Sequence, residues 1–128
     1  MWRPAGFVFA GGGVWCEVIN RRTGARLATK AHIALTAWER TRGLLGTRRL
    51  PEGEALVLDP CNSVHMLGMR YPLYAVYLDR ENRVLWEGVL RPWRFGPYVR
   101  RARKVIELPA CVAGALEIGN TIGFIGEG

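Results

Sequence analysis

From Val14 to Ile19 apolar and polar side chains alternate, Asn20–Gly24 is rich in turn formers, and an extended pattern resumes over Ala25–Leu35. A period of two interrupted by a turn predicts a β-hairpin. The period then changes. Thr36, followed three residues later by Glu39, has the spacing of a capping box. Trp38, Leu44 and Leu45 fall on one face of the short helix predicted over about 37–46, and Gly46 is a suitable stop. After Pro51–Glu54 the apolar run Ala55–Leu58 reads as a compact strand closed by Asp59-Pro60. Leu73–Leu78 is a second run, ended by Asp79-Arg80-Glu81-Asn82, and Arg83–Leu90 pairs with it as a hairpin. Val105–Leu108 and Thr121–Ile125 add two short strands with a glycine-bearing connection between them. Six or seven strands, one early helix and no βαβ alternation predict a mainly β fold, an antiparallel sandwich or barrel-like structure. The expected organisation is a flexible N-terminal segment, 1–13, and a single β-rich domain over 14–128.

Composition alters this picture little. With 128 residues, 49% hydrophobic and 23% charged, the chain has the length and make-up to build one core without disulfide staples. The 16 glycines have no fixed period, which excludes a collagen-like chain, and no apolar run approaches the roughly 18 residues of a membrane span. The apolar run Phe7–Ala10 is too short for a secretory signal and lacks a cleavage motif. Cys16, Cys61 and Cys111 are odd in number and widely spaced, so a reduced, cytoplasmic protein is expected, with export the alternative.

Charge is more informative. The formal net charge is +7, from 18 basic and 11 acidic residues. Six of the basic residues and none of the acidic ones lie in Arg91–Lys104, leaving the rest of the chain nearly neutral. That stretch interleaves Arg91, Arg94, Arg100, Arg101 and Arg103 with Trp93, Phe95 and Tyr98. Guanidinium groups between rings suit an anionic small molecule, an anionic polymer such as single-stranded nucleic acid, an anionic membrane surface, or an acidic protein. Sequence-specific nucleic-acid recognition is not expected, because no recognisable module motif is present. The structural alternative lays Trp93 and Phe95 against the sheet, with the arginines solvated or paired with Asp79, Glu81 and Glu87.

The other dense cluster is Pro60–Pro72, which places Cys61, His65, Met66, Met69 and Arg70 within ten residues. In an extended segment Cys61 and His65 share a side, as a nucleophile and its base would. Cys61, His65, Met66 and Met69 are also the ligand types that Cu(I) accepts, although zinc would need further ligands. A buried thiol and a hydrogen-bonded imidazole is the structural alternative. No phosphate loop, dinucleotide fingerprint or HExxH helix occurs, and no cofactor is expected.

The order of these landmarks is distinctive. Thr36–Gly46 with its Arg42-Gly43-Leu44-Leu45, Cys61-Asn62-Ser63-Val64-His65, Met69-Arg70-Tyr71-Pro72, Tyr77-Leu78-Asp79 and Glu107-Leu108-Pro109-Ala110 resemble the uncharacterised prokaryotic family catalogued as domain of unknown function 192. The resemblance runs from about Val14 to about Phe124. It implies a compact β-rich fold and no particular reaction. The chain departs from the family pattern at Tyr74 and Asn120, where the resemblance implies Asp, and at Cys111, where it implies Gly. Arg42, His65, Met69, Arg70 and Asp79 remain as matching polar or soft positions. The expected function is a non-enzymatic binding module whose anionic ligand is met by Arg42, Arg70, Arg91, Trp93 and Arg94. The alternatives are a small enzyme using His65, Cys61 or Asp79 with arginine anion binding, and a soft-metal site.

Overall fold

The computed structural model of the protein describes residues 14–34, 44 and 46–126. Seven strands form one mixed sheet: β1 (Val14–Asn20), β2 (Arg26–Ala34), β3 (Glu54–Leu58), β4 (Leu73–Leu78), β5 (Val84–Leu90), β6 (Lys104–Pro109) and β7 (Ile122–Gly126), in the order β5-β4-β6-β3-β2-β1-β7. A single 3-10 turn, Ala110–Val112, follows β6. The predicted flexible segment 1–13, and the predicted helix at about 37–46 apart from Leu44 and Gly46, lie outside the described residues.

Both predicted hairpins form. β1 and β2 pair antiparallel with Trp15 opposite His32, and β4 and β5 pair antiparallel with Val76 opposite Glu87. One pairing corrects the all-antiparallel expectation: β2 and β3 run parallel, with His32 beside Leu56. A parallel neighbour requires a crossover between the two strands.

The sheet curls into a half-barrel, and its two faces bury different clusters. Cys16, Val18, Val57, Tyr74, Val76, Ile106, Leu108 and Ile122 meet on the inner face. Leu56, Leu58, Leu73, Tyr77 and Val105 meet on the outer one, beneath Leu44, Leu50, Met66, Met69 and Ala102 from the connecting segments. β3 and β4 are accordingly buried along their whole lengths, which explains the apolar runs Ala55–Leu58 and Leu73–Leu78. The outer edges approach one another through an Arg83–Thr121 bridge, flanked by Val84 N–H to Asn120 O at 2.8 Å and Ile122 N–H to Asn82 O at 2.8 Å. Asn20 Nδ2 donates to Asn120 Oδ1 at 3.2 Å, tying the β1–β2 turn to this seam. No helix among the described residues is long and apolar enough to cross a membrane.

Candidate functional site

The two segments singled out by sequence lie side by side. Residues 61–66 and 93–103 run antiparallel over the outer face, joined by five backbone hydrogen bonds of 2.7–2.9 Å: Cys61 N–H to Arg103 O, Val99 N–H to Asn62 O, Gly96 N–H to Val64 O, Met66 N–H to Arg94 O and Trp93 N–H to Met66 O. Met66 and Met69 turn inward and are buried in the outer-face cluster, whereas His65 is exposed. A hydrogen bond from Tyr77 Oη to Pro97 O at 2.8 Å ties the 93–103 segment to the core.

The aromatic side chains do not lie against the sheet. Trp93 is 67% exposed, Phe95 72% and Tyr98 67%, so the part of the structural alternative that lays the rings against the sheet is not seen, while its solvated arginines are. The paired-arginine version of it is not seen either. Asp79 and Glu81 are engaged by Arg83, at 3.4 Å each, and Glu87 accepts from Tyr74 Oη at 2.7 Å. Arg70, Arg91 and Arg94 are exposed and make no ion pair with a described residue. Arg42 lies outside the described residues. Trp93 also holds a backbone φ of 67°, in the left-handed region that costs a non-glycine residue of this bulk free energy. In that conformation the Trp93 N–H donates a hydrogen bond to Met66 O.

Cys61 and His65 are separately engaged. Cys61 Sγ donates to Ser63 O at 3.1 Å, and His65 Nδ1 accepts the Leu67 N–H at 3.2 Å while the ring meets Phe95 edge-on at 6.4 Å. The Nδ1 lone pair that a general base would use is thus directed at a backbone amide. The four soft donors are divided as well, since both thioethers are in the core. Among the described residues no three His, Cys, Asp or Glu side chains converge as a metal site. Cys16 is buried on the inner face, and burial pushes its thiol up to about 11.

Asp79 organises the β4–β5 turn. Its Oδ1 accepts the Glu81 and Arg83 amides at 2.9 Å each and its Oδ2 faces Arg83 Nε. Burial acts to raise its pKa, but the two amides and the Arg83 guanidinium outweigh that and hold the carboxyl below its ordinary value of 3.8. A depressed carboxyl stabilises the fold above its unfolded pKa and loses that contribution as pH falls through the folded one. Asp79→Asn is expected to cost about 1–3 kcal/mol at pH 7. It should also flatten the acid limb of a Tm-versus-pH curve below about pH 4, as circular dichroism melts would show.

The departures from the family pattern are structural positions here. Tyr74 is fully buried with its hydroxyl on Glu87, Asn120 accepts from Asn20 and from the Glu117 amide, and Cys111 is exposed. The sequence pattern singles out none of the buried ionisable residues His32, Glu54 and Glu107. Glu107, central in β6 between Leu56 and Ala75, is buried, and burial alone pushes its carboxyl up to about 7. Its charge in turn helps to raise the phenols of Tyr71 and Tyr77.

Comparison with known proteins agrees with this architecture. Residues 18–124 match the family described as Uncharacterized ACR, DUF192. A UPF0127 protein of Thermococcus sibiricus is 30% identical over 113 residues, covering 84% of this chain and 73% of that protein. A crystal structure of a protein of unknown function from Novosphingobium aromaticivorans superposes with a TM-score of 0.70 at 18% identity, covering 96% of this chain and 99% of that one. A candidate transcription regulator from Sinorhizobium meliloti 1021 does so with 0.62 at 14% identity, covering 87% and 92%. At those identities the two structures share the fold alone.

Proposed function

The chain belongs to the DUF192 family, and from that premise we propose that it is a non-enzymatic binding module for an anionic partner, met by the 91–103 segment. The observation that carries the reading is the exposure of Trp93, Phe95 and Tyr98 among arginines with no acidic residue in the stretch. Large rings kept out of the core forgo their usual burial gain, and Trp93 does so from a backbone conformation that is itself unfavourable. Such a residue is retained for what it touches outside the molecule. Rings and guanidinium groups in alternation fit a flexible phosphodiester strand bound without sequence preference, its bases stacking and its phosphates pairing. Arg70 and Arg91 extend the positive rim. The odd, widely spaced cysteines support a reducing, cytoplasmic setting. The enzymatic alternative has less support, because the Cys61 thiol and the His65 Nδ1 are each held in a local bond rather than with each other.

The test is fluorescence anisotropy with a labelled oligothymidine strand across a salt series. Binding should weaken as salt rises, and Trp93→Ala should weaken it roughly tenfold through lost stacking. Both side chains at Trp93 and Arg94 are exposed, so their replacement leaves the fold intact. If neither the oligonucleotide, anionic vesicles nor an acidic polysaccharide shows salt-sensitive binding, the reading fails. Binding to vesicles or polysaccharide alone would keep the anionic partner and overturn the nucleic-acid assignment.

A further inference from the structure

The far end of the basic stretch belongs to a second feature. An open cleft of about 560 Å³ lies between the β4–β5 turn and residues 100–103. Its walls carry five arginines, and Asp79 and Glu81 are their only acidic neighbours among the described lining residues. Both carboxylates face Arg83 at 3.4 Å each, and five guanidinium groups against two carboxylates leave the described lining a formal excess of three positive charges. Arg80, Arg100, Arg101 and Arg103 are exposed and have no ion-pair partner among the described residues. Four guanidinium groups held around one concavity repel one another unless an anion sits between them.

The backbone fixes this arrangement. The Arg103 amide donates to Leu78 O at 2.7 Å and its carbonyl accepts the Cys61 amide, while the Asp79 turn holds Arg80 and Arg83 in place through the Asp79 hydrogen bonds. Among the described lining residues there is no ring and no apolar side chain, so they offer a base no aromatic face and a hydrocarbon no apolar wall. Planar guanidinium forks match the oxygens of tetrahedral phosphoanions. We propose that this cleft is a binding site for a compact, multiply charged phosphoanion, a phosphate chain recognised without any base. The site lies apart from the exposed rings at Trp93, Phe95 and Tyr98 but shares Arg100, Arg101 and Arg103 with the 91–103 segment, and its argument does not rest on the binding reading above.

Calorimetric titration with tripolyphosphate at fixed ionic strength tests it. One saturable site is expected. Arg80→Gln/Arg101→Gln should bind at least about tenfold more weakly, from the loss of charge-assisted hydrogen bonds. Trp93→Ala/Arg94→Gln should bind as the unaltered protein does. ATP should bind no more than a few times more tightly than tripolyphosphate, since the cleft offers its base no ring. Four outcomes would overturn the proposal: no saturable uptake, equal weakening in both double variants, citrate binding as tightly as tripolyphosphate, or ATP binding more than about tenfold tighter. Arg103→Gln, also an exposed position, serves as an independent variant should the first pair fail to fold. Weakened oligonucleotide binding in the Trp93 variant, with tripolyphosphate binding intact, separates the two sites.

Discussion

Replacing Glu107 by glutamine is expected to stabilise the protein by about 3 kcal/mol at pH 8.5 and to change little at pH 4, a difference that follows from its raised pKa at 1.36 kcal/mol per unit. The carboxyl sits mid-strand in β6, flanked by Leu56 of β3 and Ala75 of β4, on a face roofed by Met66, Met69 and Leu50. Removing water from a carboxylate there disfavours the charged form, and no described cation answers it. The sign follows from linkage. A group whose folded pKa stands above its unfolded value contributes its full stability below the unfolded pKa and loses it as pH rises through the folded one. Here the loss begins near 4.5 and is complete somewhat above 7. Glutamine has the same shape and never ionises, so its denaturation midpoint in urea should stay flat where the unaltered protein's falls. Equal slopes between pH 5 and 8 for the two proteins would show that Glu107 is not the titrating group. The Asp79 effect runs in the opposite direction and below pH 4, so the two windows do not overlap.

Glu107 also marks where the sequence stops being legible. In Val105-Ile106-Glu107-Leu108 one polar residue in an apolar strand reads as the position that faces solvent, because alternation assumes a sheet with one wet face. Both faces of this sheet are covered, so the charged position is buried instead. The same covering explains what was readable. Leu73–Leu78 is apolar throughout because both of its faces are buried, and its end at Asp79–Asn82 is set by local hydrogen bonds that depend on adjacent residues only. Pairings between distant segments leave no comparable trace. Nothing in the spelling of Asn62–Met66 announces that its backbone is bonded to Arg94–Val99, and the parallel choice of β3 beside β2 depends on a crossover rather than on either strand's pattern. Cys61 and His65 share a side only in an extended chain, and a bend at Asn62 removes that condition. Charge concentration in 91–104 was legible from counting alone. Whether its rings face in or out was not, because Trp93 reaches solvent through a positive φ that a tryptophan seldom adopts.

Tyr77→Ala is expected to cost about 3–5 kcal/mol, the range for deleting a large buried side chain, and to cost the basic segment its anchor. Tyr77 is fully buried on the outer face, packs edge-on against Trp86 with ring centroids 5.2 Å apart, and sends its hydroxyl to Pro97 O. Burial pushes the phenol up to about 12, so the O–H donor persists across the neutral range. The neighbouring chain fits closely around it: a Cβ on Gly96 would stand 2.6 Å from the Tyr77 hydroxyl and 3.0 Å from Val64 O. The hydroxyl therefore sets how near the 93–103 segment lies to the sheet. Tyr77→Phe keeps the ring and removes the donor, at a cost of about 1 kcal/mol, and isolates that effect from cavity formation. Because Tyr77 has no exposed surface, it cannot touch an anionic partner. Weaker oligonucleotide binding by the well-folded phenylalanine variant would then report the loss of a held conformation at Trp93 and Phe95 rather than of a contact. Urea denaturation measures the first effect and anisotropy the second. A Tyr77→Ala variant destabilised by less than about 1 kcal/mol, well under the usual range for such a deletion, would mean that the segment rests on its backbone bonds to Asn62–Met66 alone.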